Sequence, residues 1–205
     1  MSKEINTEEK IKQAAKEVFM AKGFDGCSTR EIAKVAGMNV ALVNYYFRSK
    51  QQLFKLIYQA ASEDLVNSMV EVFSQEMPLE DKVRQVIERQ YAFLTRHPEL
   101  PGFIVSSMNR GEDHTLEQSE FFEKVRTTGI FEECLKAQAE GYMRPVNMYS
   151  LTLLIMSNCD FPFMSMRMMQ GVHCASEDEI KAGIVQHKEV VIEMLINYLF
   201  PKNQK

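Results

Sequence analysis

Within seven positions, Asn44, Tyr45, Tyr46, Arg48, Ser49 and Lys50 gather two phenols, an amide, a hydroxyl and two cations. Tyrosine hydroxyls, a lysine and the amides of a helix start are groups that hold phosphate. The chemistry this cluster suits is the grip of a nucleic-acid backbone. Asn44 either pairs bidentately with adenine, worth about 1–3 kcal/mol of discrimination, or holds a turn. Two adjacent tyrosines cannot both be core on so short a helix, so at least one is expected at the surface.

Catalytic patterns are missing. No GxSxG, GxGxxG, phosphate-loop or HExxH motif occurs. None of His97, His114, His173 or His187 has a glutamate three residues before it, as a di-iron helix would require. Cys27, Cys134, Cys159 and Cys174 are never closer than 15 residues, which gives neither a CxxC nor a zinc spacing. His173 and Cys174 adjoin, but two ligands make no metal site. The chain is expected not to be an enzyme and to use no metal or cofactor.

Composition agrees with a binding protein. The 205 residues carry 24 Lys+Arg, 28 Asp+Glu and 45% hydrophobic residues, which excludes a disordered chain and a disulfide miniprotein. No apolar run reaches the roughly 18 residues of a membrane helix. The start, MSKEINTEEK, has no signal-peptide core. Free thiols in the cytoplasm are expected. Residues 1–60 hold ten basic and six acidic side chains, a net +4, and the remainder is −8. A basic head can neutralise phosphates while an acidic body discourages non-specific adhesion.

These residues must be positioned by helices. Ile11, Ala14, Ala15, Val18 and Phe19 recur at helical spacing, with Thr7 as the expected cap and Gly23 as the stop. Ser28 with Glu31 forms a capping box opening a short helix ended by Gly37. Asn39 caps a third helix over about 40–47. Ser49 with Gln52 opens a long helix to about Gln75. Further helices are expected at about 79–96, from Pro101 to about Asn109, at 117–140, at 147–170 with a kink at Pro162, and at 177–200. Residues 110–116 read as a polar loop. No strand alternation appears. The fold class is all-α with about nine helices.

Ala33, Gly37 and Val43 have the spacing of two closely crossing helices. In a helix-turn-helix, the second such helix enters the major groove. The run from Ala14 to Phe24, then Ser28-Thr29 before Glu31-Ile32-Ala33, Ala36-Gly37, and Tyr45-Tyr46-Phe47 with Ser49, Lys50 and Leu53 resembles the DNA-binding head of the TetR family of bacterial transcriptional regulators. The resemblance covers about residues 7–60. It implies that Thr29 holds a phosphate and that Arg30 reaches a phosphate or a base. It also implies that Val40, Ala41 and Leu42 face bases, that Tyr45 and Tyr46 contact the backbone, and that Lys50 pairs with a phosphate. Where many members have Thr-Leu-Tyr, this chain has Leu42-Val43-Asn44. Direct readout is therefore expected to be thin, with DNA shape contributing.

The resemblance further implies a head at 4–64, with its motif at 28–47, and a helical ligand-sensing and dimerisation body at 65–205. The last two helices would pair with those of a second copy. The helix over 147–170 is apolar nearly all round, so it needs cover on several sides. Five of the 14 methionines fall between Met156 and Met169. They suit core, dimer packing or a pliable pocket. Candidate ligand contacts are Tyr91, Phe103, Met108, Phe122, Phe131, Cys134, Asp160, Phe163 and Met164. Asp160, in an apolar run, is expected to pair with an arginine such as Arg167 or to meet a cationic or hydrogen-bonding ligand. The implied function is a cytoplasmic, homodimeric repressor released from a palindromic double-stranded operator by a small-molecule effector, with no membrane partner. The rival reading is a helical small-molecule-binding protein whose head does not regulate transcription.

Overall fold

The computed structural model describes residues 2–102, 105 and 123–201. Among these, helices and turns make up the chain and no strand occurs. They form two compact units, 2–64 with 97–102 and 105, and 65–96 with 123–201. Phe103, Met108, Phe122 and the expected loop at 110–116 lie outside the described residues.

The first unit holds α1 (Ser2–Lys22), α2 (Thr29–Ala36), α3 (Val40–Phe47) and the start of α4 (Lys50–Ser74). The apolar stripe of α1, from Ile11 to Phe19, is buried as its period requires. Its start differs from expectation. Thr7 lies inside α1, because no glycine or proline in residues 2–6 interrupts the helix and the cap is bypassed. Phe19, Phe24 and Phe54 form the centre of this unit. Phe54 meets Phe19 edge-on at 4.9 Å and Phe24 edge-on at 5.2 Å, and Phe19 stacks on Phe24 at 5.8 Å. Each such pair contributes roughly 0.5–1.5 kcal/mol beyond burial.

The second unit contains the end of α4, then α5 (Leu79–Arg96), α6 (Ile130–Ala139), α7 (Met148–Met164), α8 (Met166–His173) and α9 (Glu177–Leu199). α5 packs on α7 and α9, and α9 also packs on α7 and α8. Met69 and Val72 of α4 close on Val86 of α5, with Ile155 of α7 alongside. Two cations two turns apart on one side of α5 bind the backbone of α4. The buried Lys82 donates to the Phe73 carbonyl (2.9 Å) and to Glu133 of α6 (2.7 Å). Arg89 donates to the Ser68 carbonyl (2.6 Å). A buried ammonium needs such partners, since either one alone would leave it undercompensated.

Two helix boundaries differ from the sequence reading. The expected helix over 117–140 is interrupted at 127–129 before α6 begins. There the hydroxyls of Thr127 and Thr128 donate to the carbonyls of Lys124 and Val125, and Gly129 takes φ +74°, a left-handed conformation suited to glycine. The expected helix over 147–170 becomes two, because α7 stops at Met164 and Ser165 (φ −93°, ψ 2°) separates it from α8. Pro162 has no amide to give the carbonyl of Asn158, four residues earlier. The hydroxyl of Tyr91 on α5 donates to that carbonyl instead, at 2.9 Å.

Tyr91→Phe is therefore expected to cost about 1 kcal/mol by leaving a half-buried carbonyl unpaired. Pro162→Ala restores an amide and should shrink that cost. Urea denaturation of the wild type, both single variants and the double variant closes the cycle. An equal cost of Tyr91→Phe in both backgrounds would rule out the compensation.

Candidate nucleic-acid interface

The turn between α2 and α3 is built by local chemistry. The Ser28 amide donates to Glu31 Oε2 (2.8 Å), the Ser28 hydroxyl donates to the same oxygen (2.9 Å), and the Glu31 amide donates to Ser28 Oγ (3.3 Å). This capping box fixes the start of α2. Gly37 ends α2 at φ +67°. A Cβ there would meet nothing within 4 Å, so glycine is present for its backbone conformation and not for close approach. Asn39 Oδ1 then accepts from the Ala41 amide at 2.8 Å and starts α3. Ala33 and Val43 are both buried where the two helices cross.

With Val43 and Phe47 turned inward, α3 presents Ala41, Leu42, Asn44 and Tyr45 to solvent, while Val40 and Tyr46 are half-buried. Tyr45 is 80% exposed, and its ring meets Tyr46 edge-on at 5.5 Å. At the start of α2, Arg30 is exposed and Thr29 half-buried. Of the residues named for the DNA face, all but Lys50 thus share α3 and the first turn of α2. Arg48 follows α3 at φ +54°, a strained conformation for a side chain with a Cβ. The Ser49 hydroxyl accepts from the Gln52 amide at 3.1 Å and caps α4.

Lys50 is placed differently from its implied role. Its ammonium donates to the carbonyls of Phe24 (2.7 Å) and Cys27 (2.9 Å) and lies 4.3 Å from the Phe24 ring centre. Glu31, besides its capping role, pairs with Lys22 of α1. The Lys22 ammonium, then the Ser28 hydroxyl and amide, hold its carboxyl down at about 2.

In the second unit, Tyr91 and Phe163 are brought together, their ring centres 5.8 Å apart. Cys134 is also buried, and that burial pushes its thiol up to about 11. Phe131 and Asp160 are half-buried, and Met164 faces outward. Asp160 accepts from Gln90 Nε2 at 2.8 Å, so its expected arginine partner is replaced by a neutral amide. Burial raises this carboxyl above the usual range. Gln90, Lys82 and Arg89 went unread in the sequence. Only Pro162 carried a signal, since its missing amide implies a donor from another helix. Among the described residues, no three His, Cys, Asp or Glu side chains gather as a metal site would need.

An all-α chain with a capped, three-residue αα corner and an exposed second helix is a helix-turn-helix protein. Residues 11–57 match the family described as bacterial regulatory proteins, tetR family. It is 31% identical over 104 residues to the HTH-type transcriptional regulator YttP of Bacillus subtilis (strain 168), covering 49% of each chain. It is 24% identical over 158 residues to the HTH-type transcriptional repressor NicS of Pseudomonas putida, covering 76% of this chain and 74% of that one. Across the first curated relatives it matches, the chain spans 44–66% of their length. The fold resembles the FadR regulator of Bacillus subtilis, solved with stearoyl-CoA. There the TM-score is 0.57 and the identity 18%, covering 90% of this chain and 97% of that one.

The Glu31 carboxylate stabilises the head as long as it is ionised. Its folded value of about 2 lies below the ordinary 4.5. The contribution is therefore complete above about pH 4.5 and lost as pH falls towards about 2. Thermal melts of the wild type and Glu31→Gln across this range should differ at the upper end and converge at the lower. A constant gap would show that Glu31 acts through shape and not charge.

Proposed function

We propose that the protein is a homodimeric repressor of transcription, acting in the cytoplasm, that leaves its operator when a small molecule binds its body. Residues 4–64 read DNA, and residues 65–205 sense and dimerise. The observation that carries this reading is the outward face of α3, with Leu42, Asn44 and Tyr45 exposed beside the α2 start that bears Thr29 and Arg30. Ala41, Leu42 and Val40 offer apolar contact to bases, Asn44 an amide for adenine, and Tyr45 and Tyr46 hydroxyls for phosphates. The repressor NicS among the relatives supports the sense of regulation. FadR, solved with stearoyl-CoA, supports a small-molecule effector.

Dimerisation is supported by what α7, α8 and α9 leave uncovered. Tyr149, Leu153 and Met156 on α7, Val172 on α8, and Val185, Val190, Met194 and Tyr198 on α9 are all exposed. An apolar surface of this extent on a monomer marks an interface. Two copies related by a two-fold axis would present two heads to successive major grooves of a palindrome. An effector shifts binding only by favouring one dimer shape over another. Tyr91, Phe131, Cys134, Asp160 and Phe163 are the described residues assigned to it.

Selection from random duplexes should return a palindrome whose half-site centres lie about 10 base pairs apart. Sequence-blind binding would sink the proposal. Among the described residues, Arg30, Lys34 and Arg48 are exposed head cations outside any ion pair. Arg30→Ala should make the log–log salt slope shallower by about 0.9 per head and weaken all sequences alike. Asn44→Ala should leave the slope unchanged and relax the preference at one position per half-site.

A further inference from the structure

We propose that Lys50 is a positioning residue that sets where α2 begins, and with it Thr29 and Arg30, and that it is not itself a phosphate ligand. The inference rests on the DNA-binding reading above and concerns how the interface is held in place.

A lysine as the first residue of a 25-residue helix stands at that helix's positive end, a poor place for a cation. Lys50 offsets this by folding back. Two of its three N–H donors are taken by the carbonyls of Phe24 and Cys27, and the Phe24 ring covers the ammonium. Both carbonyls belong to the turn joining α1 to α2. That turn has little freedom of its own. Phe24 is locked between Phe19 and Phe54. Cys27 is buried, and its thiol points at the Phe24 carbonyl (3.4 Å). A Cβ at Gly26 would stand 2.3 Å from the Lys22 carbonyl, so the turn is pressed against the end of α1. Ser28, the cap of α2, follows directly. Lys50 therefore ties the start of α4 to the residue before the start of α2. Two of its three donors are thus spent on charge-assisted bonds that hold the neighbouring contacts in register.

A phosphate ligand and a positioning residue respond differently to salt. Removing a cation that neutralises a phosphate lowers the salt slope by about 0.9. Removing one that only places neutral amides and a neighbouring arginine lowers affinity and leaves the slope parallel. Lys50→Met keeps the length and loses the charge. In the full chain, on the duplex selected by the wild type, it should bind about tenfold more weakly at every salt concentration, with an unchanged slope. Without DNA, amide hydrogen exchange at residues 28–31 should accelerate in this variant, because the turn has lost its tie. A slope shallower by about 0.9 per head overturns the proposal, and so does exchange identical to the wild type. If circular dichroism shows Lys50→Met unfolded, Lys50→Gln carries the same two measurements. It retains two N–H donors without charge and is expected to recover part of the affinity at the same slope. Failure of the wild type to select any sequence would count against the regulator reading itself, an outcome distinct from these.

Discussion

The packing of Phe19, Phe24 and Phe54 is the constraint on which the head depends. The three rings come from α1, from the turn after it and from α4. They fix elements that local hydrogen bonds cannot fix relative to one another. A capping box decides that a helix starts at Ser28, but not where that start sits in space. The Phe24 ring does so, by anchoring the turn between the other two aromatics and by giving the Lys50 ammonium its third side. The side chains assigned to DNA are small, apolar or neutral apart from Arg30. Few of them can bend towards a misplaced phosphate. A reading face of this kind depends on being held rigidly from behind.

The second unit solves a different problem, that of a proline within an inward-facing helix. Pro162 deprives the Asn158 carbonyl of its amide, and α5 answers with Tyr91. One turn of α5 thus serves three tasks. Tyr91 satisfies the broken ladder, Gln90 holds Asp160, and Arg89 reaches round to the Ser68 carbonyl of α4. Lys82, two turns earlier on the same side as Arg89, repeats the grip at Phe73. α5 therefore lies between the interrupted helix and the far end of α4, bonded to the backbone of both. A shift of α7 at its break would be felt at α4 through hydrogen bonds, which tolerate little displacement, and not through apolar contacts alone, which can slide.

The sequence disclosed best what is decided within a few residues. The Ser28–Glu31 box, the left-handed Gly37 and the Asn39 cap are local chemistry, and residue type states them directly. The stripe from Ile11 to Phe19 is equally legible, because burial follows its period. Interruptions were harder to see. Thr127-Thr128-Gly129 reads as helix until the hydroxyls are found on the preceding carbonyls. Pro162 announces a disturbance without saying that α7 will end. Partners distant in sequence were illegible. Nothing near Lys50 points to the carbonyls of Phe24 and Cys27, and nothing near Asp160 points to Gln90, 70 residues away. Such pairings are products of the fold, and composition carries no trace of them.

One feature of α9 joins the fold to the proposed assembly. Val190 and Val191 are neighbours of the same type, yet the first is 58% exposed and the second fully buried. The inward series continues through Ile192, Leu195, Ile196 and Leu199, and the outward one through Met194 and Tyr198. A helix that only closed its own core would carry charge on the outer face, as amphipathic helices do. Here Val190, Met194 and Tyr198 stand exposed on the outer face among Gln186, Glu193 and Asn197. In a two-fold dimer through this face, the same rigid helix would be core on one side and interface on the other. Any rotation that repacked α9 against α5 and α7 would turn Val190, Met194 and Tyr198 by the same angle. In the proposed dimer, repacking inside one body and the angle between two copies are one movement.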